Sequence, residues 1–263
     1  MLTFVDHSRE VTYPSKAPQP RKLVTIVRYP RARRRFPLVV FGHGFAVTPS
    51  IYSQLLEAWA RAGYVVAAPI FPLANADAPG GPNESDLPNQ PRDVRFVITS
   101  MLALSGARQG PLAGMIDPAE IGVSGQSDGG DTALTVSYDG AFRDPRIRAA
   151  VILSGQEIPG VGGYDFPAPS PPLLATQGLA DTINLPDTTF AFWNEAPAPK
   201  YLLTLPGAPH LGPYTDEQPQ LAIVERVTVA FLDHYLKGER GALARLEAAG
   251  HVPGVAALQA EPG

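Results

Sequence analysis

A serine, an aspartate and a histidine stand in the order and the local settings that nucleophilic acyl chemistry needs. Ser127 is the centre of "GQSDG" (125–129), a G-x-S-x-G pentapeptide between a strand-like run, "EIGVSGQ", and a helix-like one, "DGGDTALTVSYD". A sharp strand-to-helix turn pushes a serine hydroxyl into the open and aims the first helix amides at a developing negative charge. Gly125 and Gly129 remove side chains that would clash in such a turn. The bland alternative is a serine that merely caps the helix. A hydroxyl nucleophile needs a base, and the base needs an orienting acid. Asp181 in "QGLADTINLP" and His210 in "LPGAPHLGPY" each follow a strand-like run. The order Ser, acid, His is the one expected when the serine sits on a strand-to-helix turn.

The other four histidines are worse placed: His7 near the start, His43 before the serine, His234 inside a long helix and His251 in the tail. Asp128, directly after the serine, raises a question of sign, because a carboxylate beside an oxyanion would raise the barrier. A first-turn aspartate is stabilised by the helix dipole, and its amide can face the oxyanion while its carboxylate points elsewhere. The second amide donor is expected from "GHGFAV" (42–47), after the strand "FPLVVFG": Phe45 first, Gly44 as the alternative, with His43 in a supporting role.

These positions require a scaffold, and the chain supplies alternating strands and helices. Strands are read at 23–30, 36–42, "YVVAAPI", "EIGVSGQ", 148–155, 171–178 and 200–207. Short, near-continuous apolar runs of this kind suit strands buried on both faces of a largely parallel sheet. Helices are read at 50–64 with Ser50 as N-cap, at 91–104, after Ser127, at "LPDTTFAFWNEAP", and in two closing segments. The pattern predicts one α/β domain spanning 1–263, a mostly parallel sheet with helices on both faces. Two Pro/Gly-rich loops, 70–91 and 155–172, are long enough to be functional. The second is too rich in Pro and Gly for a helical lid, so the cleft is expected to be open. Phe71, Tyr164, Phe166 and Tyr214 are aromatics that could line it.

Composition removes several function classes. With 44% hydrophobic and 17% charged residues the chain supports a large core. A formal charge of −4 gives no reason to expect nucleic acid, and the run Arg31, Arg33, Arg34, Arg35 reads as a solvated turn. The absence of cysteine excludes disulfides, thiolate metal sites and cysteine nucleophiles. Asp77, Glu84 and Asp86 match no calcium-loop spacing, so no metal and no cofactor is expected. No apolar run is long enough to span a membrane. The first residues, "MLTFVDHSRE", do not read as a signal peptide; secretion would need a leader already removed, and otherwise the chain is cytoplasmic. Oligomeric state is not legible.

Together, "GHGF", "GQSDGG", "ADTI" and "PHLGPY" resemble the α/β-hydrolase superfamily, over roughly residues 20–237. The resemblance is to its compact bacterial branch of cutinase-like polyester hydrolases, platelet-activating-factor acetylhydrolase-like esterases and dienelactone-hydrolase-like proteins. It implies Ser127, Asp181 and His210 as a triad and the amides of Phe45 and Asp128 as an oxyanion hole, with the Phe45 ring beside the acyl group. The chain departs from the cutinase-like pattern. Gln126 and Asp128 replace the usual His or Trp and Met around the nucleophile, and Gln156 stands in the place of a stacking Trp. Phe45, Gln126, Gln156 and Tyr214 are the expected substrate contacts. The implied activity is carboxylic-ester hydrolysis through an acyl-enzyme, on short to medium acyl esters or polyesters. An acyltransferase with the same triad, or a non-catalytic binding protein on the same scaffold, are the alternatives.

Overall fold

The computed structural model describes residues 1–161 and 163–263. Nine strands form one sheet: β1 (Leu2–Val11), β2 (Gln19–Arg28), β3 (Phe36–Gly42), β4 (Val65–Ile70), β5 (Ile116–Gln126), β6 (Ile147–Leu153), β7 (Leu173–Gly178), β8 (Lys200–Leu205) and β9 (Ala257–Glu261). Their order is β1-β2-β4-β3-β5-β6-β7-β8-β9. The six central strands, β4 to β8 in that order, are parallel, and β1, β2 and β9 add antiparallel edges.

The apolar strand runs work because alternate side chains leave a strand on opposite faces. On β3, Leu38 and Val40 enter one core while Val39 and Phe41 enter the other. On β7, Leu173 and Ala175 go one way and Leu174 the other. Helices α2 (Gln90–Gly106), α3 (Asp128–Tyr138) and α4 (Pro186–Glu195) cover the first face. Helices α1 (Ser53–Arg61), α5 (Gly212–Thr215), α6 (Gln220–Lys237) and α7 (Ala242–Gly250) lie on the side of the second core. Leu55, Leu56 and Trp59 are the buried stripe of α1, and Trp59 Nε1 donates to Thr228 Oγ1 on α6 at 2.9 Å. Each fully buried aliphatic or aromatic side chain contributes about 1.5–3 kcal/mol of transfer free energy. Two filled cores therefore hold the sheet stiff beneath its loops.

Two expectations about elements need correction. Ser50 is not the N-cap of α1. It lies inside a 3₁₀ turn, Pro49–Tyr52, with its hydroxyl 2.6 Å from Thr48 Oγ1, and the helix starts at Ser53. Strands β1 and β9 were not expected. β1 reads "LTFVDHSREV", half-exposed and carrying six polar or charged residues, as suits an edge strand that must discourage further pairing. The segment 155–172 holds no helix among the described residues, only the bridge between Tyr164 and Asp139.

The carboxyl ends of β3, β5, β7 and β8 carry Phe45, Ser127, Asp181 and His210 respectively. This is the edge where parallel α/β sheets place ligands.

Candidate active site

Ser127 sits between β5 and α3 at φ 56°, ψ −128°, a conformation costly for any non-glycine residue and characteristic of functional turns. Its neighbours make it possible. A Cβ at Gly125 would lie 2.0 Å from the Gly129 carbonyl oxygen, and one at Gly129 would lie 2.0 Å from that of Gly42. The turn, the helix start and the end of β3 thus touch backbone to backbone. The Ser127 side chain makes no capping hydrogen bond, so it does not serve as an N-cap. Ser127 N–H donates to the Leu153 carbonyl at 3.0 Å, tying the turn to the end of β6.

Asp181 and His210 meet. His210 Nδ1 lies 2.7 Å from Asp181 Oδ2. Asp181 is buried, and its Oδ1 accepts from the amides of Ile183 and Asn184 at 2.9 and 3.0 Å. Burial works to raise this carboxyl's pKa, but the hydrogen bonds from His210, the Ile183 amide and Gln177 outweigh it and hold the group below its usual range. It is therefore an acceptor across the neutral range, which fixes the His210 proton on Nδ1 and leaves Nε2 as an acceptor.

That nitrogen faces Gln126. Gln126 Nε2 lies 3.2 Å from His210 Nε2 and donates to the His210 carbonyl at 2.9 Å. A carbonyl only accepts, so the orientation of the Gln126 amide is fixed. Its Oε1 accepts from Tyr52 O–H at 2.7 Å, and Tyr52 in turn accepts from Gly44 N–H at 3.2 Å. No hydrogen bond joins Ser127 Oγ to His210 Nε2 among the described residues; catalytic hydrogen bonds often tighten only with substrate. Gln126 is a buried strut between the base and the loop after β3, not the expected substrate contact. Tyr52 is a site residue that its sequence context, an apolar run before α1, gave no reason to single out. Gln126→Leu should lower kcat roughly 10- to 100-fold as His210 loses its brace. The orphaned Tyr52 hydroxyl and His210 carbonyl should cost about 1–3 kcal/mol in urea unfolding.

The loop after β3 is held from beneath by His43. Its Nε2 accepts from Phe71 N–H at 3.0 Å and its Nδ1 donates to the Gly44 carbonyl at 2.8 Å. Full burial pushes this imidazole down to about 4, against the pull of the Gly44 carbonyl, so it is neutral and supporting. Gly44 N–H is taken by Tyr52 and Ala46 N–H by the Ala74 carbonyl. Phe45 N–H, between them, has no partner among the hydrogen bonds of the described residues. Gly44 packs within reach of the Ser127 Cβ, so this loop adjoins the serine. Phe45 itself is half-buried.

The other expected contacts fall as follows. Tyr214 is fully buried, its hydroxyl between Ser154 Oγ and Thr176, so it has no face for a substrate. Phe71 is likewise buried, against the His43 ring. Tyr164 hydrogen-bonds Thr135 and the Ile158 amide, and Phe166 packs on Tyr138. Gln156 is partly exposed, and its amide donates to Asp131 Oδ1 at 2.7 Å. Asp128 also differs from expectation. Its carboxyl does not leave the site but stays in the electrostatic reach of His210 and Tyr52.

A search of curated proteins finds no match. The family model for chlorophyllase matches residues 4–153, more than half of the chain. That span includes the loop after β3 and the serine turn and ends at the last residue of β6; Asp181 and His210 lie beyond it. With a mostly parallel sheet flanked by helices and a serine strained between strand and helix, the match has a matching architecture, and the chain belongs to the chlorophyllase family of α/β-hydrolase-type ester hydrolases.

Proposed function

We propose that the protein is a serine carboxylic-ester hydrolase working through an acyl-enzyme. The observation that supports this best is the 2.7 Å contact between His210 Nδ1 and Asp181 Oδ2, on neighbouring loops at the edge of the sheet that carries the strained Ser127. Ser127 Oγ attacks the ester carbonyl, and its proton passes to His210 Nε2. The tetrahedral oxyanion takes hydrogen bonds from the amides of Phe45 and Asp128. Asp181 stabilises the imidazolium and keeps its ring in place. His210 then returns the proton to the departing alcohol as the C–O bond breaks. Water, deprotonated by His210, attacks the acyl-enzyme and releases the acid and Ser127. No cofactor enters these steps.

With no helix among the described residues of 155–172, the reading favours short to medium acyl esters, and bulky or polymeric ones, without activation at an interface. Chlorophyll, the substrate in the family's name, belongs in the same panel. The test is hydrolysis of p-nitrophenyl esters of graded acyl length, together with labelling by a fluorophosphonate. Saturable hydrolysis and one phosphonate adduct on Ser127 are expected. Inertness toward both would instead favour a binding protein on this scaffold. Faster turnover with added alcohol, giving a new ester, would point to acyl transfer.

A further inference from the structure

The residue after the nucleophile carries a carboxyl that the fold leaves unpaired. Asp128 is 6% exposed, and its Oδ2 is enclosed with no hydrogen-bond partner among the described residues. An unsatisfied buried polar group costs about 1–3 kcal/mol, and more when charged. The other buried carboxylates near this face have partners: Asp181 has His210, and Asp131 has the Gln156 amide. Nor does the surrounding charge help. Glu84, exposed on the 3₁₀ turn Glu84–Asn89, and Asp131, one helical turn along α3, are both acidic, and Tyr52 O–H is neutral. His210 is the one basic group in reach. No Lys or Arg forms an ion pair with Asp128 or Glu84 among the described residues.

We infer that this acidic pocket receives a cationic group of the substrate, so that the enzyme prefers esters bearing an ammonium a few bonds from the scissile carbonyl, with Asp128 as the specificity-determining residue and Glu84 as a second charge at the mouth. The inference rests on the esterase reading above and deepens it. An ammonium satisfies both needs of the site. It gives the enclosed carboxylate a partner, and it neutralises a charge that would otherwise oppose the oxyanion one residue from Ser127. Burial and then Glu84 push the Asp128 carboxyl up to about 7, against His210 and its own amide N–H.

The test uses matched pairs that differ by one nucleus. On the alcohol side, acetylcholine is compared with 3,3-dimethylbutyl acetate. On the acyl side, p-nitrophenyl 4-(trimethylammonio)butanoate is compared with p-nitrophenyl 5,5-dimethylhexanoate. Each kcat/KM is divided by the hydroxide-catalysed rate of the same ester. At pH 8 the cationic member should be preferred by about tenfold or more in at least one pair, and the responding pair tells on which side of the ester the pocket lies. The ratio should fall toward one in Asp128→Asn, less far in Glu84→Gln. In the unaltered protein it should rise between pH 6 and pH 8 as Asp128 ionises, a readout that needs no variant to fold. Ionisations that act alike on both esters cancel in the ratio. A ratio near one in both pairs, or a preference that survives Asp128→Asn, overturns the inference while leaving the esterase intact. Failure to hydrolyse any of the four esters removes the esterase reading, and this one with it.

Discussion

Ser127→Ala is expected to lower kcat on p-nitrophenyl acetate by roughly 10⁵-fold or more, the scale seen when a serine hydrolase loses its nucleophile, with thermal stability nearly unchanged. The two halves of that expectation have separate causes. The loss of rate follows from removing the only atom in the proposed mechanism that bonds to the acyl group. The unchanged stability follows from the geometry of the turn. The hydroxyl makes no capping hydrogen bond to α3, so no structural partner is orphaned. The strain at φ 56° belongs to the backbone and to Cβ, both of which alanine keeps. A helix-capping serine would behave in the opposite way: loss of a cap costs about 0.5–2 kcal/mol and leaves chemistry elsewhere untouched. Steady-state rates and a calorimetric Tm on the same preparation distinguish the two. A variant with full activity removes Ser127 from the mechanism.

The parts of this site that the sequence revealed are those whose chemistry imposes a local pattern. The serine turn needs glycine at 125 and 129 because backbone touches backbone there, and that need is visible as letters. Asp181 and His210 were legible because each directly follows an apolar run that can only be a buried strand. Strands buried on both faces are written as continuous apolar stretches, so β3 to β8 were all found, although β5 begins four residues before the apolar run that marks it. The edge strand β1 was missed because it has one partly covered face and breaks its alternation with Asp6, His7, Arg9 and Glu10. The brace running from Gly44 through Tyr52 and Gln126 to His210 was illegible for another reason. It joins residues 74 and 84 positions apart, and a tyrosine or glutamine carries the same letter whether it lines a cleft or stiffens one. Tyr214 shows the same ambiguity resolved the other way, since its ring follows the histidine loop yet is wholly enclosed.

Arg21→Met should destabilise the protein by about 3–5 kcal/mol, the usual cost of leaving buried charge without its partner, and lower Tm by roughly 10 °C for a chain of this size. Arg21, on β2, is 2% exposed and holds two carboxylates at once. Its Nη1 and Nη2 bind Asp86 at 2.9 and 2.6 Å, and its Nε and Nη2 bind Asp93 at 2.7 Å each. Asp86 belongs to the 3₁₀ turn that carries Glu84, and Asp93 to the first turn of α2, so one guanidinium fastens the long loop 70–91 to the sheet. Methionine fills much of the volume but leaves two buried carboxylates side by side; among the described residues, Asp93 keeps only the Arg9 guanidinium at 2.7 Å and Asp86 only the Asn89 amide at 3.0 Å. The deficit should depend on pH with a definite sign. Burial already raises the Asp93 pKa, and the bonds and charge of Arg21, with a lesser pull from Arg9, restrain it. Without Arg21 the folded pKa climbs further above the unfolded value, so the folded variant binds protons that the unfolded chain does not. Its stability therefore increases as pH falls and is lost as pH rises through that folded pKa. Urea unfolding at pH 5 and pH 8 should show the gap from the unaltered protein narrowing at pH 5. An equal gap at both values would mean that the cost comes from lost packing around the guanidinium rather than from stranded charge.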